Sequence, residues 1–363
     1  MNSKRKIYPV FLPHAGCPFQ CVYCNQHAVT ASFSGQKPQP EDLAACFDST
    51  FTPLLDQALA GAAPGEIAFY GGTFTALPVP TLKALLERVS PWVKEGVFTG
   101  IRFSTRPDCM SREVCALLED YPVRTVELGV QSLSHEVLRE SRRGYGVEVV
   151  ERAAALVHDH GWQLGVQLML GLPGDSRERF LASVGKALEL RPHMMRLYPT
   201  LVLEGTLLAE WHRAGKFRPL TLDEAVEWCA SAYDILLNAR IPIARMGLHG
   251  DPELEKPGRI LAGPYHPAFG YLVRVRRWRE SIDRVLEGEG EPRHAGVLLL
   301  DVPKDQLSEV IGPRQSNLHH WREKYGLARV QVNGSPSISA NGFQCRWVNR
   351  DSNSCGRAAR NPL

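Results

Sequence analysis

No apolar run in the chain approaches the roughly 20 residues that a membrane span needs. Charge of one sign is also lacking: 42 basic and 39 acidic side chains leave a net charge of only +3, so binding nucleic acid by bulk charge is not implied without a clustered patch. Lys4, Arg5 and Lys6 precede the proline-broken stretch "IYPVFLPHAG" rather than a signal-peptide apolar core. Paired cysteines are missing too. The cysteine count is nine, an odd number, and six of these are scattered singly, which disfavours a secreted disulfide framework and suits a reducing compartment. A cytoplasmic protein is expected. No internal repeat is visible. What the chain does have is 363 residues with 44% hydrophobic composition, enough to bury a large core, either as one α/β domain with an appendage or as two ordinary domains.

Short β-rich runs at Ile7–Leu12, Glu66–Tyr70, Gly100–Ser104, Thr125–Gly129, Gln163–Leu170 and Met194–Pro199 alternate with helix-period segments. The helical segments are Glu41–Leu59, Thr81–Trp92, Ser111–Asp120, Val147–His160, Arg177–Leu188 and Leu222–Ala239. Such alternation predicts parallel pairing with right-handed crossovers, in an open doubly wound sheet or a barrel. Unusual loops should then gather at the C-terminal ends of the strands. Three cysteines follow the first strand, "GGTFT" the second, "STRPD" the third, "GVQS" the fourth, "GLPGD" the fifth and "YPTLVLEGT" the sixth. One rim collects them all.

The cysteines are Cys17, Cys21 and Cys24 in "GCPFQCVYCN". A structural zinc takes four N or S ligands, and so do electron-transfer iron–sulfur clusters. A trio leaves one metal position open for a substrate. His14 and His27 flank the trio and offer the alternative, a closed zinc site.

The spacing C-x3-C-x2-C, with Tyr23 directly before the last cysteine, resembles the signature of the radical S-adenosylmethionine (SAM) enzymes. The resemblance implies an incomplete parallel (β/α)6 TIM-like barrel with a small C-terminal α/β extension. It also implies a 4Fe-4S cluster on Cys17, Cys21 and Cys24 whose fourth iron binds SAM, with an external one-electron donor such as flavodoxin or ferredoxin. Reductive cleavage would then yield methionine and a deoxyadenosyl radical. Tyr23 would lie beside adenine. Gly71, Gly72 and Thr73 would face the methionine moiety, since backbone without side chains permits close approach. By the same resemblance Arg106 and Gln131 would contact carboxylate, ribose or methionine groups, Arg143 or its neighbour Arg142 would clamp the carboxylate, and Leu172 in "MLGLPGD" would pack near adenine.

"RLYPTLVLEGTLLAEWHRAGKFRP" (196–219), with "GGTFT", "STRPD" and "ELGVQS", looks like the radical domain of the Elongator catalytic subunit, which modifies wobble uridine in tRNA. A weaker likeness is to oxygen-independent coproporphyrinogen oxidase. The cysteine spacing is tighter than the subunit's, and only about a hundred residues follow the barrel, too few for its acetyltransferase domain. The expected division is a core over 1–245, a Gly/Pro/His-rich and basic connecting segment over 246–294, a small α/β module over 295–332 and a loose tail over 333–363. Leu307–Val332 follows the spacing of a KH module, with Gly312 but with Gln315 in place of the second glycine of its loop. Arg274, Arg276, Arg277, Trp278 and Arg279 suggest a basic, aromatic RNA surface. His249 and His266 are candidate substrate contacts. Cys46, Cys109, Cys115 and Cys229 read as buried thiols, and Cys345 and Cys355 lack ligand spacing. The leading substrate is RNA, such as tRNA. The rivals are a small-molecule oxidase or transferase of the porphyrinogen-oxidase kind and a non-catalytic RNA binder with a structural zinc.

Overall fold

The computed structural model describes residues 6–12, 17, 20–24, 40–248, 250, 252, 254–288, 296–348 and 359–360. Its first eight strands are β1 (Lys6–Phe11), β2 (Gly65–Tyr70), β3 (Ile101–Thr105), β4 (Val123–Gln131), β5 (Gln163–Leu170), β6 (Met194–Pro199), β7 (Val202–Leu203) and β8 (Ile243–Met246). The helices interleaved with them are α1 (Pro40–Leu59), α2 (Val79–Lys94), α3 (Arg112–Leu118), α4 (His135–Glu140), α5 (Val147–Asp159), α6 (Arg177–Glu189), α7 (Leu207–Arg213) and α8 (Leu222–Asn238). One sheet has the order β1-β2-β3-β4-β5-β6-β8, and its neighbours pair in parallel. The alternation therefore yields seven parallel strands where six were expected. The extra one, β8, is four residues long and follows Pro242, too short to show a period.

The sheet is curled, because one cavity takes its walls from both terminal strands, β1 and β8. Strand alternation explains the two faces. Ile67, Phe69, Ile101, Phe103, Val126, Leu128, Leu164, Val166 and Leu197 are fully buried and make the apolar layer against the helices. Phe74 stacks between Phe69 and Phe103, with ring centroids 4.5 and 5.1 Å away. The alternate residues carry charge. Arg102 is paired with both Glu66 and Glu127, and Arg196 Nε donates to Glu127 Oε2 at 2.5 Å, all facing the concave side. Buried charges persist only when paired and hydrogen-bonded, and Thr125 Oγ1 and Tyr70 OH complete the set by donating to Glu66 at 2.6 Å and Glu127 at 2.8 Å.

Helix starts follow the sequence locally. The hydroxyls of Ser111, Ser176 and Thr206 cap α3, α6 and α7, accepting from Val114, Arg179 and Ala209 backbone N–H groups. After β2 the chain turns at Gly71 with φ +100°, and a Cβ there would sit 2.0 Å from the Leu12 carbonyl oxygen. Gly71→Ala is expected to cost at least ~2 kcal/mol in urea unfolding, because strain and collision add. A midpoint equal to wild type would contradict this reading of the turn.

The chain divides into two compact units. The first runs to Ala225 and resumes over Ala239–Pro267; the second comprises Val226–Asn238 and Ala268–Leu363. In the first, β9 (Ile260–Ala262) pairs antiparallel with β7. The second unit holds α9 (Phe269–Gly288), β10 (Val297–Pro303), α10 (Leu307–Ile311), α11 (Ser316–Lys324), β11 (Arg329–Ser335), β12 (Gln344–Val348) and β13 (Ala359–Arg360). Its sheet order is β11-β10-β12-β13, with β10 and β11 parallel.

Three expectations are corrected here. The units divide at 225/226, 238/239 and 267/268 rather than once near 245, and the segment up to 294 contains a twenty-residue helix, α9. The tail from 333 is not loose throughout, since β11 and β12 occupy part of it and Cys345 is fully buried in the unit's core. The basic stretch does not present the open basic and aromatic surface that the sequence suggests. Trp278 and Arg277 are buried, Arg277 pairs with Asp234, Arg274 with Glu309, Arg276 with Glu280, and Arg279 donates to Asn317. Those cations are consumed within the fold.

Candidate active site

The cysteine loop is seated by backbone and apolar contacts. Leu208 N–H donates to Val22 O at 2.8 Å, and Val22 packs with Val202, Leu208 and Ala209. The "YPTLVLEGT" segment thus serves as the floor under the cysteines. Cys17, Cys21 and Cys24 all line one cavity of about 230 Å³ at the strand ends, together with Tyr23, Gly72, Thr73, Arg106, Gln131 and Arg143. Nine of the eleven site residues expected from sequence therefore meet here. Gly71 lines the adjoining cavity instead. Leu172 is buried in the turn after β5 and lines neither; Gln167 and Met169, from β5 itself, form that wall of the first cavity.

Thr73 Oγ1 lies 3.0 Å from Cys17 Sγ, tying "GGTFT" to the trio. Cys21 Sγ accepts from two guanidiniums, Arg143 Nη1 at 3.1 Å and Arg106 Nη1 at 3.5 Å. Arg143 also donates to Tyr23 OH at 3.0 Å, Gly129 O at 2.6 Å and, from both Nε and Nη2, Tyr145 OH. A guanidinium has five N–H donors, so its fork is committed within the protein. Arg106 is held likewise, by Asp108 through Nε and Nη2 and by the Arg143 carbonyl. Both arginines act on the site through Cys21, and Arg143 also through Tyr23, rather than as an idle fork awaiting a carboxylate. Arg142 stands apart, over the Trp211 ring.

Gln131 has φ +70° and sits at a register irregularity between β4 and β5. A bulge at a strand end re-aims its side chain, and left-handed backbone in a non-glycine residue is a strain that functional sites retain. The side chain accepts from Gln167 Nε2 at 3.1 Å.

The donor set suits an iron–sulfur cluster short of one protein ligand. Burial, then the neighbouring Cys21 and Cys17, push the Cys24 thiol up to about 12. Only an added cation makes an all-thiolate trio favourable, and Arg106 and Arg143 already supply part of that charge. Among the described residues no three His, Cys, Asp or Glu side chains converge on one metal ion, whereas a cluster takes each thiolate at a different iron. The potential zinc ligands His14 and His27 lie outside the described residues, as do His249 and Cys355. His266 is half-buried and lines neither cavity. Cys115 and Cys229 are buried as expected, but Cys46 and Cys109 are partly exposed.

Two family models match the chain: "Radical SAM superfamily" over residues 11–187 and "Radical_SAM C-terminal domain" over residues 192–280. The chain belongs to the radical SAM superfamily. Among its relatives, tRNA uridine(34) acetyltransferase of Methanocaldococcus infernus is 33% identical over 192 residues, 47% of this chain and 36% of that protein. Human Elongator complex protein 3 is 30% identical over 186 residues, 46% of this chain and 34% of that one. The solved structure of the archaeal Methanocaldococcus infernus Elp3 with an N-terminal deletion aligns with a TM-score of 0.57 at 23% identity, covering 77% of this chain and 64% of that chain. The curated relatives are thus matched over about a third of their length, and the structural likeness establishes the fold. This radical SAM enzyme has an α/β partial-barrel architecture, and no described helix is long and apolar enough to cross a membrane.

Sequence reading alone missed Glu127, Gln167 and Met169 as cavity walls, and Tyr145 as the brace of Arg143. A signal was present for two of them: a charged or amide side chain in the middle of an otherwise apolar strand, at the inward parity. The "GLPGD" turn has its own chemistry. Burial raises Asp175 to about 7 from an ordinary 3.8, against hydrogen bonds from the Gly171 and Ser176 N–H groups. The folded protein then holds a proton that the unfolded chain releases, so stability is fullest below the unfolded value and falls as pH rises from about 4 to about 7. Asp175→Asn is expected to flatten that slope, which is limited to ~1.4 kcal/mol per pH unit; urea midpoints of both proteins across this window, if parallel, would refute it.

Proposed function

We propose that the chain binds a 4Fe-4S cluster through Cys17, Cys21 and Cys24, binds SAM at the iron left without a thiolate, and directs the resulting radical at tRNA. The observation that carries this reading is the trio itself: three cysteine side chains on one strand-end cavity, with backbone glycine and polar side chains, not a fourth thiol, on its other walls. When bound, the cluster supplies the electron that splits the sulfonium carbon–sulfur bond of SAM. The protein's own part is positional. Arg143 fixes Cys21 and Tyr23 relative to β4. Thr73 braces Cys17 and the bulge at Gln131 presents an amide to the cavity. The apolar layer below Val22 keeps the loop from flexing into solvent.

The tRNA assignment is supported by the relatives named for tRNA uridine(34) acetylation. In the second unit, the loop between α10 and α11 adds a candidate backbone contact. Pro313, Arg314 and Gln315 are exposed, and Gly312, Arg314 and Gln315 all have positive φ. Gln315, at the second glycine position of the G-x-x-G spacing, thus has left-handed backbone, the region glycine enters most readily. Because the chain matches only part of those relatives, their complete reaction is not assigned to it.

The test is anaerobic release of 5′-deoxyadenosine in dithionite, with and without bulk tRNA, over a salt series. Release that rises with tRNA, and tRNA binding that weakens steeply with salt, is the expected result. Release indifferent to tRNA in a protein that does not bind it would remove the RNA substrate, and failure to release deoxyadenosine from iron-loaded protein would remove the radical reaction.

A further inference from the structure

A second cavity, of about 420 Å³, adjoins the first and shares Ser104, Glu127 and Gln167 with it. That volume lies within the range of pockets that enclose small organic ligands. Strand alternation makes one wall apolar. Tyr8 and Val10 of β1 are buried in the core, whereas Ile7, Pro9 and Phe11 line the cavity. Phe11 is 55% exposed, so its ring is open to a ligand. Its register partner Tyr70 continues the same wall, with ring centroids 5.8 Å apart.

The charged side chains on the other walls are already engaged. Arg196 donates to Glu127 from Nε and Nη2, to Tyr70 OH from Nη2 and to Tyr198 OH from Nη1. Glu127 accepts from Arg102, Arg196 and Tyr70, and Arg245 Nε donates to the Gly247 carbonyl. What stays open is neutral. Ser104 Oγ has no hydrogen-bond partner among the described residues, and Gln167 makes one bond, from Nε2 to Gln131 Oε1. That leaves Gln167 its amide oxygen and a second N–H. The bond to Gln131 sets the plane of the amide, and both Ser104 and Gln167 stand on the wall common to the two cavities.

We infer that this compartment takes an uncharged planar ring with a hydrogen-bonding edge, the chemistry of an unstacked nucleobase, and that Phe11 and Gln167 select it. Phe11 carries the face of the ring, and Gln167 reads the edge with Ser104. An aromatic platform accepts the face of any base, whereas a side-chain amide demands a donor and an acceptor side by side. A ring held on that wall borders the cysteine compartment directly. The inference rests on the tRNA reading above and assigns the side chains by which the base is chosen.

Titration of the reconstituted, SAM-loaded protein without reductant, using uridine, 3-methyluridine and 5,6-dihydrouridine, separates face from edge. 3-Methyluridine keeps the flat ring and blocks its N–H; dihydrouridine keeps the edge and loses the flat ring. Uridine is expected to bind saturably and about fivefold or more tightly than either. Gln167→Leu should weaken uridine about fivefold or more and leave 3-methyluridine unchanged. Phe11→Ala should weaken uridine to a similar degree and leave dihydrouridine unchanged, while Phe11→Trp binds uridine like wild type. Circular dichroism and the thermal midpoint verify that each variant is folded. No saturable uridine binding, equal affinity for the three nucleosides, or a Gln167→Leu or Phe11→Ala protein that binds uridine like wild type or weakens all three alike would overturn the inference. Deoxyadenosine release by the same wild-type sample, with and without tRNA, reports on the reading above separately, so a protein stimulated by tRNA yet indifferent to face and edge would sink this inference alone.

Discussion

Cys24→Ala is expected to abolish deoxyadenosine release and to lower bound iron and sulfide sharply, while the metal-free variant keeps the circular-dichroism spectrum and melting temperature of metal-free wild type. The separation of the two effects follows from where Cys24 stands. Cys24 lines the cavity, whereas the loop that carries it is anchored through Val22 and the start of α7. Losing the thiol removes one of three iron ligands without opening the apolar floor. Burial together with Cys21 and Cys17 disfavours the lone Cys24 thiolate, so the metal-free wild type gains nothing from keeping it. Cys46, partly exposed on α1 and bonded to the Phe11 carbonyl, is the matched control: Cys46→Ala should leave the cluster intact. A Cys24→Ala protein that still releases deoxyadenosine at the wild-type rate would remove the cysteine assignment.

Glu127→Ala is expected to destabilise the first unit by ~3–5 kcal/mol, the range for removing one partner of a buried ion pair. Glu127 is 4% exposed and serves Arg102, Arg196 and Tyr70 at once. Its removal takes from Arg196 its carboxylate partner and leaves Arg102 with Glu66 alone. Burial opposes its ionisation, but Arg196 and Arg102 outweigh this and hold the carboxyl below its ordinary range. Glu127→Gln should be milder, because an amide oxygen still accepts from one arginine. Chemical unfolding of the metal-free proteins measures both. A loss below 1 kcal/mol for Glu127→Ala would mean that the network relaxes without it, and would weaken the argument that its charges are fixed in place.

The first two thirds of the fold were legible because period and turn chemistry agreed there. The run Gln163–Leu170 and the helical pattern from Val147 reappear as β5 and α5 with nearly the same limits. Elsewhere charge obscured the pattern. In α9 the arginines dominate the sequence, yet Val275, Trp278, Ile282 and Leu286 are all buried, at spacings a helix brings to one side. All five of its arginines bond to acidic or amide partners, a pairing that only tertiary structure reveals. At the site, the cysteine spacing and "GGTFT" were readable as chemistry because short-range spacing constrains what they can hold. The arginines were not. Arg106 and Arg143 could be placed at the rim from sequence, but whether a guanidinium fork is idle or committed depends on how the side chains of Asp108 and Tyr145, each two residues on, and the Gly129 carbonyl are oriented, which spacing does not reveal.

The curled sheet ends in two strands, β1 and β8, that bond only on their inner sides among the described elements. A seam thus runs down the molecule between Phe11 and Arg245, apolar along one lip and cationic along the other. Behind it lie Ser104, Glu127 and Gln167, which the cavity there shares with the cysteine compartment, so the walls of the two compartments meet in polar side chains.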